Sequence, residues 1–277
     1  MSAIATDAPA TVRRFRFTAL SDAIAIAWRG LLTYRRVPQL LVFSTIQPVV
    51  FVLMFRYVFG GAINTPGIPY VDYLMPGIFA QTVAFGAITT GVGLAEDSSK
   101  GLIERFQSLP MARSAVLVGR TVADLSRNVF VVSLMALVGI IIGYRFHAGF
   151  IRFLVALALL LGFGFAPSWL FALIGLSTAN AETTQAAAFP LIAPLVFASN
   201  AFVPVSTMPD WLAWWARNQP LSAIISAVRA LTLTSEQRLA IHLTESTLHY
   251  VVIAVAWIAG LVAWFAPLAV RRYRRVS

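Results

Sequence analysis

Side chains able to do chemistry are few in this 277-residue chain, and their spacing limits what they can do. Cysteine is absent, which excludes disulfides, thiolate nucleophiles and thiolate-held zinc, haem or iron–sulfur groups. Three histidines, His147, His242 and His249, leave little from which to build a zinc site. The one lysine, Lys100, follows Ser99, so the Gly-Lys-Ser/Thr step of a phosphate-binding loop can be written nowhere in the chain. Asp124 and Arg127 are three residues apart and can share one helix face, with Arg120 one turn earlier as a second partner; this set reads as a structural anchor rather than a proton relay. No Ser-His-Asp or paired-carboxylate set can be assembled with them, and neither catalysis nor proton-coupled transport finds support.

The densest polar chemistry lies in the stretch from Glu96 to Arg113, which holds Glu96, Asp97, Lys100, Glu104 and Arg105. Among them Leu102, Ile103, Phe106 and Leu109 recur at helical spacing, and Pro110 and Met111 end the pattern. A short amphipathic helix of this kind offers an apolar ridge flanked by charge, the shape that fits a groove on a partner protein. It could equally close two membrane helices over the headgroups, and periodicity leaves both readings open.

The elements that must hold these residues are membrane helices. Hydrophobic residues make up 59% and charged residues 12%, with a mean hydropathy of +0.80, against about 25% charged in a typical soluble domain. A helix needs roughly 20 apolar residues to cross a bilayer, and six stretches qualify, at about 38–59, 73–94, 122–143, 153–176, 185–205 and 250–270. No secretory signal is visible in 1–37, so the N-terminus is expected to stay inside. An even number of spans then puts fourteen Lys and Arg residues on the cytoplasmic side and five outside, with Arg56 and Arg127 within spans. Both termini are therefore expected in the cytoplasm of a multi-pass cell-membrane protein. The net charge of +10 becomes an orientation signal, and nucleic acid is not needed to explain it.

Four further segments outside the spans can be read. Residues 1–17 are expected to be disordered, and 18–37 to form an amphipathic helix in the headgroup layer, with Leu20, Ile24, Trp28 and Leu31 at helical spacing. Residues 271–277 form a basic tail. Between the last two spans, Trp211, Trp214 and Trp215 cluster where indoles favour the interface, Asn218, Gln219 and Pro220 break the pattern, and 221–231 is apolar but too short to cross. Two short helices dipping into the outer leaflet fit this pattern, and Arg229 within them must then find a protein partner or water.

This order of parts resembles the membrane subunit of ABC transporters of the ABC-2 type, most closely the daunorubicin-resistance-type drug-export permeases of actinobacteria. The resemblance runs along nearly the whole chain. It rests on Gly101-Leu102-Ile103-Glu104-Arg105-Phe106 followed by Leu109-Pro110-Met111, on Gly119-Arg120 before Ala123-Asp124-Leu125, and on Asn218-Gln219-Pro220 before Ala227-Val228-Arg229. It implies an all-α membrane protein of six transmembrane helices within 38–270, with a cytoplasmic coupling helix between spans two and three and an extracellular re-entrant hairpin between spans five and six. The coupling helix, with Glu96, Asp97, Gly101, Leu102, Glu104, Arg105, Phe106, Leu109, Pro110 and Met111, would dock on a separate ATP-binding-cassette subunit. Two such ATPases, and a second permease identical to this chain or related to it, are the implied partners, together with membrane lipids. ATP and magnesium would bind in the ATPase, and this chain would hold no cofactor. Trp211, Asn218, Gln219, Pro220 and Arg229 would gate the outer mouth, and Phe79, Phe85, Phe189, Phe197 and Asn200 are candidates for the substrate path. The implied function is outward movement of a hydrophobic or amphipathic drug or lipid. Export of a polysaccharide or lipid-linked glycan shares the architecture, and an intramembrane lipid-modifying enzyme and an ion-coupled carrier are weaker alternatives.

Overall fold

The computed structural model describes residues 39–103 apart from 64 and 66, residues 113–275, and ahead of them only positions 24, 28, 32 and 36, which are helical. The expected disordered stretch 1–17 and the interfacial helix at 18–37, those four positions excepted, lie outside the described residues, as do the last two residues of the expected tail.

Every regular element among the described residues is a helix. Helix α1 runs Gln39–Leu53 and continues as a π-helical stretch, Met54–Phe59. It is followed by α2, Tyr70–Ser99, α3, Arg113–Ile141, α4, Phe150–Gly175, and α5, Ala181–Phe197. Three short helices come next, α6, Asp210–Asn218, α7, Pro220–Thr232, and α8, Ser235–Ala240, before the long α9, Thr247–Tyr273. The helix starts are set locally. Asn180 accepts from the Thr183 N–H at 2.9 Å in a reciprocal capping box that opens α5, Pro220 takes the first position of α7, and Ser246 caps α9 by accepting from His249 N–H at 3.2 Å.

Among the described residues five helices are long and apolar enough to cross a membrane: Val42–Phe59, Tyr70–Ser99, Leu117–Ile141, Phe150–Gly175 and Thr247–Tyr273. They match five of the six expected runs. The expected run 185–205 is realised differently. Helix α5 begins at Ala181, has 17 residues and unwinds after Phe197. At 1.5 Å per residue it reaches roughly 25 Å, short of a core about 30 Å thick. The chain leaves the helix although Phe202, Val203 and Val205 are still apolar, because carbonyls beyond Phe197 serve other helices. Tyr73 Oη donates to Asn200 O at 3.1 Å and Tyr70 Oη to Phe202 O at 3.0 Å.

Helix α2 is the hub. In its apolar segment 78% of residues are buried inside the chain, against 17% in α1 and 6% in α9, and it packs on α1, α3, α4, α5 and α7. Its closest approach is to α4, where backbone meets backbone. A Cβ on Gly91 would lie 2.3 Å from Phe171 O, and one on Gly175 would lie 2.1 Å from Gly91 O, so neither position accepts a side chain at this spacing. Gly139 and Gly143, four residues apart in the sequence, sit in different settings. Gly139 packs against Met75 within the chain, whereas Gly143 lies beyond the end of α3.

Candidate functional site

Helix α7 carries one polar stripe on an otherwise apolar cylinder. Gln219, Ser222, Ser226 and Arg229 recur at spacings of three, four and three, so they line one face. All four reach the non-helical segment after α5 or the helix beside it. Gln219 Nε2 donates to Ala198 O at 2.8 Å, Ser222 Oγ accepts from Asn200 N–H at 3.3 Å, and Ser226 Oγ accepts from Asn200 Nδ2 at 3.0 Å. Arg229 completes the row. It is only 2% exposed, and its guanidinium donates from Nε to Tyr73 O at 3.1 Å and from Nη2 to Tyr73 O at 2.8 Å, Asn200 O at 2.9 Å and Ala201 O at 3.3 Å. The same guanidinium lies 3.5 Å from the centre of the Tyr73 ring, a cation–π contact between two buried side chains. The partner that Arg229 requires at this depth is thus a set of backbone carbonyls and an aromatic face.

A cavity of about 540 Å³ opens beside this cage, lined among others by Tyr73, Asn200, Arg217, Ser226, His242 and Tyr250. Asn200 Oδ1 is buried there without a partner. Around it, Pro220 starts α7, and Asn218 Nδ2 donates to Trp214 O at 2.8 Å, ending α6. Trp211, Trp214 and Trp215 stay exposed. On another side of α2, Asp72, 1% exposed in the first turn, accepts from the Arg145 N–H at 3.0 Å and pairs with His147 Nε2 at 2.9 Å. Burial pushes the neighbouring Tyr144 phenol above its ordinary range.

A second polar level lies where α1, α2 and α3 meet. Arg127, 7% exposed, donates from Nη2 to Gly86 O at 2.8 Å and to Asn128 Oδ1 at 3.1 Å, and its Nε is buried without a partner. It lines a cavity of about 170 Å³ with Ser44, Gln47, Gln81, Thr82 and Asn128. Asp124 accepts from Thr90 Oγ1 at 2.6 Å. Arg120, expected as a second partner for Asp124, pairs instead with Asp97 at 2.6 Å, tying the end of α2 to the start of α3. Gly93 makes room for it, because a Cβ there would lie 1.4 Å from Arg120 Nη2.

The residues expected to couple to an ATPase divide at the edge of the described chain. Glu96 is bridged by Lys100 at 3.6 Å, Asp97 is held by Arg120, Gly101 takes φ +67 just after α2, and Leu102 is half-buried. Glu104, Arg105, Phe106, Leu109, Pro110 and Met111 lie outside the described residues. Of the path candidates, Phe79 is 1% exposed and packs edge-on against Tyr144, Asn200 belongs to the Arg229 cage, and Phe85 sits 6.2 Å from Phe189. Phe189 and Phe197 are about half exposed. Ser222, Ser226, Tyr73 and Gln81 escaped the sequence reading. For the two serines a signal was present, the helical spacing of polar residues from Gln219 to Arg229. For Tyr73, whose partners Asn200 and Arg229 are distant in sequence, and for Gln81, which lines a cavity between three helices, no local pattern exists.

The model of the ABC-2 type transporter family matches residues 22–233. The chain is similar to the daunorubicin resistance ABC transporter permease protein DrrB1 of Streptomyces coeruleorubidus, at 34% identity over 263 residues, which cover 95% of this chain and 89% of the relative. It is similar also to the doxorubicin resistance ABC transporter permease protein DrrB of Mycobacterium tuberculosis, at 32% over 212 residues covering 72% and 73% of the two chains. The probable doxorubicin resistance ABC transporter permease protein DrrC of the same species matches at 26% over 242 residues, 84% and 81%. Five long apolar helices and these permease relatives agree on a multi-pass membrane protein. The chain belongs to the ABC-2 type transporter family.

Proposed function

We propose that this chain is the permease subunit of an ATP-driven exporter that moves a hydrophobic or amphipathic compound outward. The match to drug-resistance permeases along 95% of the chain carries this reading. The sequence adds a physical reason for a separate motor, since its lone lysine sits outside any phosphate loop. In the proposed arrangement both termini face the cytoplasm, and α5 crosses the bilayer as a sixth, short span. The helices α6 and α7 fold back at the outer face, and 96–113 docks on an ATP-binding-cassette subunit that binds ATP and magnesium. Two ATPases and two permeases, identical or related, form the working unit. ATP closes the ATPase pair, and the Arg120–Asp97 bridge at the base of the docking segment carries its movement into α2 and α3.

The test is co-expression with an ATP-binding-cassette subunit from the same genome and measurement of drug efflux. Glu104→Ala and Arg105→Glu are expected to weaken co-purification of the pair or to leave ATP hydrolysis running without efflux. Unchanged assembly and unchanged coupled efflux in both variants would remove the docking assignment.

A further inference from the structure

We infer that the cavity around Arg127 is a binding site for an anionic headgroup, a phosphate or carboxylate carried on an apolar tail. Three observations converge on this chemistry. The cavity lies among helices long and apolar enough to cross a membrane, yet its wall is built from Ser44 and Gln47 on α1, Gln81 and Thr82 on α2, and Arg127 and Asn128 on α3. On α1, Ser44 is half-buried while Gln47 is exposed and lies one turn from the exposed Phe43 and Val50, so the cavity opens beside the apolar outer face of the helix.

The second observation is unmet hydrogen-bonding capacity. Nε of Arg127 and Oε1 of Gln81 are both buried without partners, and a buried unpaired group at this depth costs free energy that a ligand or water can recover. The third is charge. Among the described residues Arg127 is the only ionisable one lining the cavity, and the nearest acid on its helix, Asp124, lines a different small cleft with Thr90 and Ser168, on the side towards α4. An acid group on the α1 side would meet a guanidinium with no carboxylate competing among the described residues of the cavity wall, while Gln81 Oε1 suits a hydroxyl beside that group.

Size sets the limit on what enters. About 170 Å³ is below the roughly 300–1,000 Å³ of pockets that enclose whole drug-sized molecules, so the headgroup enters and the tail stays outside. Such a headgroup belongs either to a membrane phospholipid or to a separate amphiphile.

The full-length chain, purified in a neutral detergent and depleted of lipid, is titrated with dodecyl phosphate, dodecyltrimethylammonium and inorganic phosphate. In parallel, native mass spectrometry follows phosphatidylglycerol carried out of mixed phosphatidylglycerol and phosphatidylcholine nanodiscs. Dodecyl phosphate is expected to bind saturably and far more tightly than inorganic phosphate, with Arg127→Gln weakening it at least tenfold, the loss expected for a charge-assisted hydrogen bond. Retained phosphatidylglycerol that dodecyl phosphate displaces identifies a resident lipid, whereas dodecyl phosphate binding without retained lipid identifies a separate amphiphile. Absence of saturable binding, which leaves water alone in the cavity, overturns the inference. So does equal binding of the cationic amphiphile, or unchanged affinity in Arg127→Gln. Should that variant fail to give a folded protein, Gln47→Leu, on the exposed helix α1, is expected to show the same direction of loss, and unchanged affinity there overturns the site. Neither ATP nor efflux enters these measurements, so the site can fail while the export reading stands.

Discussion

Arg229 and Arg127 are both buried cations in an apolar bundle, but their surroundings use them differently. Around Arg229, carbonyls of three residues from two separate segments accept from one guanidinium, and the Tyr73 ring covers its face. Around Arg127, two neutral acceptors bind one terminal nitrogen, and Nε has no partner. The difference follows from what each region lacks. The segment after α5 has no helix of its own to satisfy its carbonyls, and Arg229 takes that place; a guanidinium with five donors in a fixed fork suits scattered acceptors better than any other side chain. At the Arg127 level the helices already satisfy their backbones, and α2 and α4 are joined by glycine contact. One cation fastens the fold, and the other is left available to a ligand.

The largest effect expected from this contrast is on Arg229. Arg229→Leu removes the donors to Asn200 O and Ala201 O and the cover on Tyr73, leaving Ala201 O unpaired beside a void and Asn200 O with only its Tyr73 Oη donor, at a cost of about 2–4 kcal/mol. Arg229→Lys keeps the charge but loses the fork and is expected to recover only part of this. Unfolding of the purified chain in mixed micelles with increasing denaturing detergent measures both. A leucine variant as stable as the parent would mean that the cage does not hold α7.

The next effect tests the glycine contact between α2 and α4. Gly175→Ala places a methyl 2.1 Å from Gly91 O and forces α2 and α4 apart, for which overpacking costs of about 1–3 kcal/mol are typical. The same unfolding measurement is expected to place it between Arg229→Leu and any change at Arg127. A silent Gly175→Ala would shift the origin of rigidity away from the helix contact.

How much of this was legible in the sequence depends on how far apart the partners lie in the chain. Hydropathy finds α1, α2, α4 and α9 to within a few residues, because lipid demands continuous apolar runs and nothing else in the chain supplies them. It places the start of α3 about nine residues late, since Arg113 and Arg120 bracket the first turns of the helix and interrupt the apolar run there. It carries α5 too far, because the unwinding at Ser199 to Phe202 is enforced by Tyr70, Tyr73 and Arg229, which are 27 or more residues away in the chain. The need of Arg229 for a partner was readable from its burial in an apolar run, but the identity of the partner was not. Expecting Arg120 to pair with Asp124 followed from helix spacing alone. The structure pairs it with Asp97, a contact between helices that no periodicity encodes.

The smallest effect is expected at Arg127, and it is the sharpest test of the contrast. Arg127→Gln deletes hydrogen bonds to Gly86 O and Asn128 Oδ1. Gly86 O lies within α2, where the helix supplies its own donor, and the Asn128 amide borders a cavity that can admit water. Nothing is left orphaned in the way that Ala201 O is after Arg229→Leu, and glutamine can still donate one bond. A net hydrogen bond contributes about 0.5–1.5 kcal/mol, and relief of the unpartnered Nε offsets part of that, so the variant is expected to unfold within about 1 kcal/mol of the parent. Its loss should appear in anionic amphiphile binding instead. If Arg127→Gln proves as destabilising as Arg229→Leu, the two arginines do the same structural work and the division between fastening and binding collapses. If stability holds and binding falls, the cation facing the cavity is maintained for a ligand, because the fold does not require it.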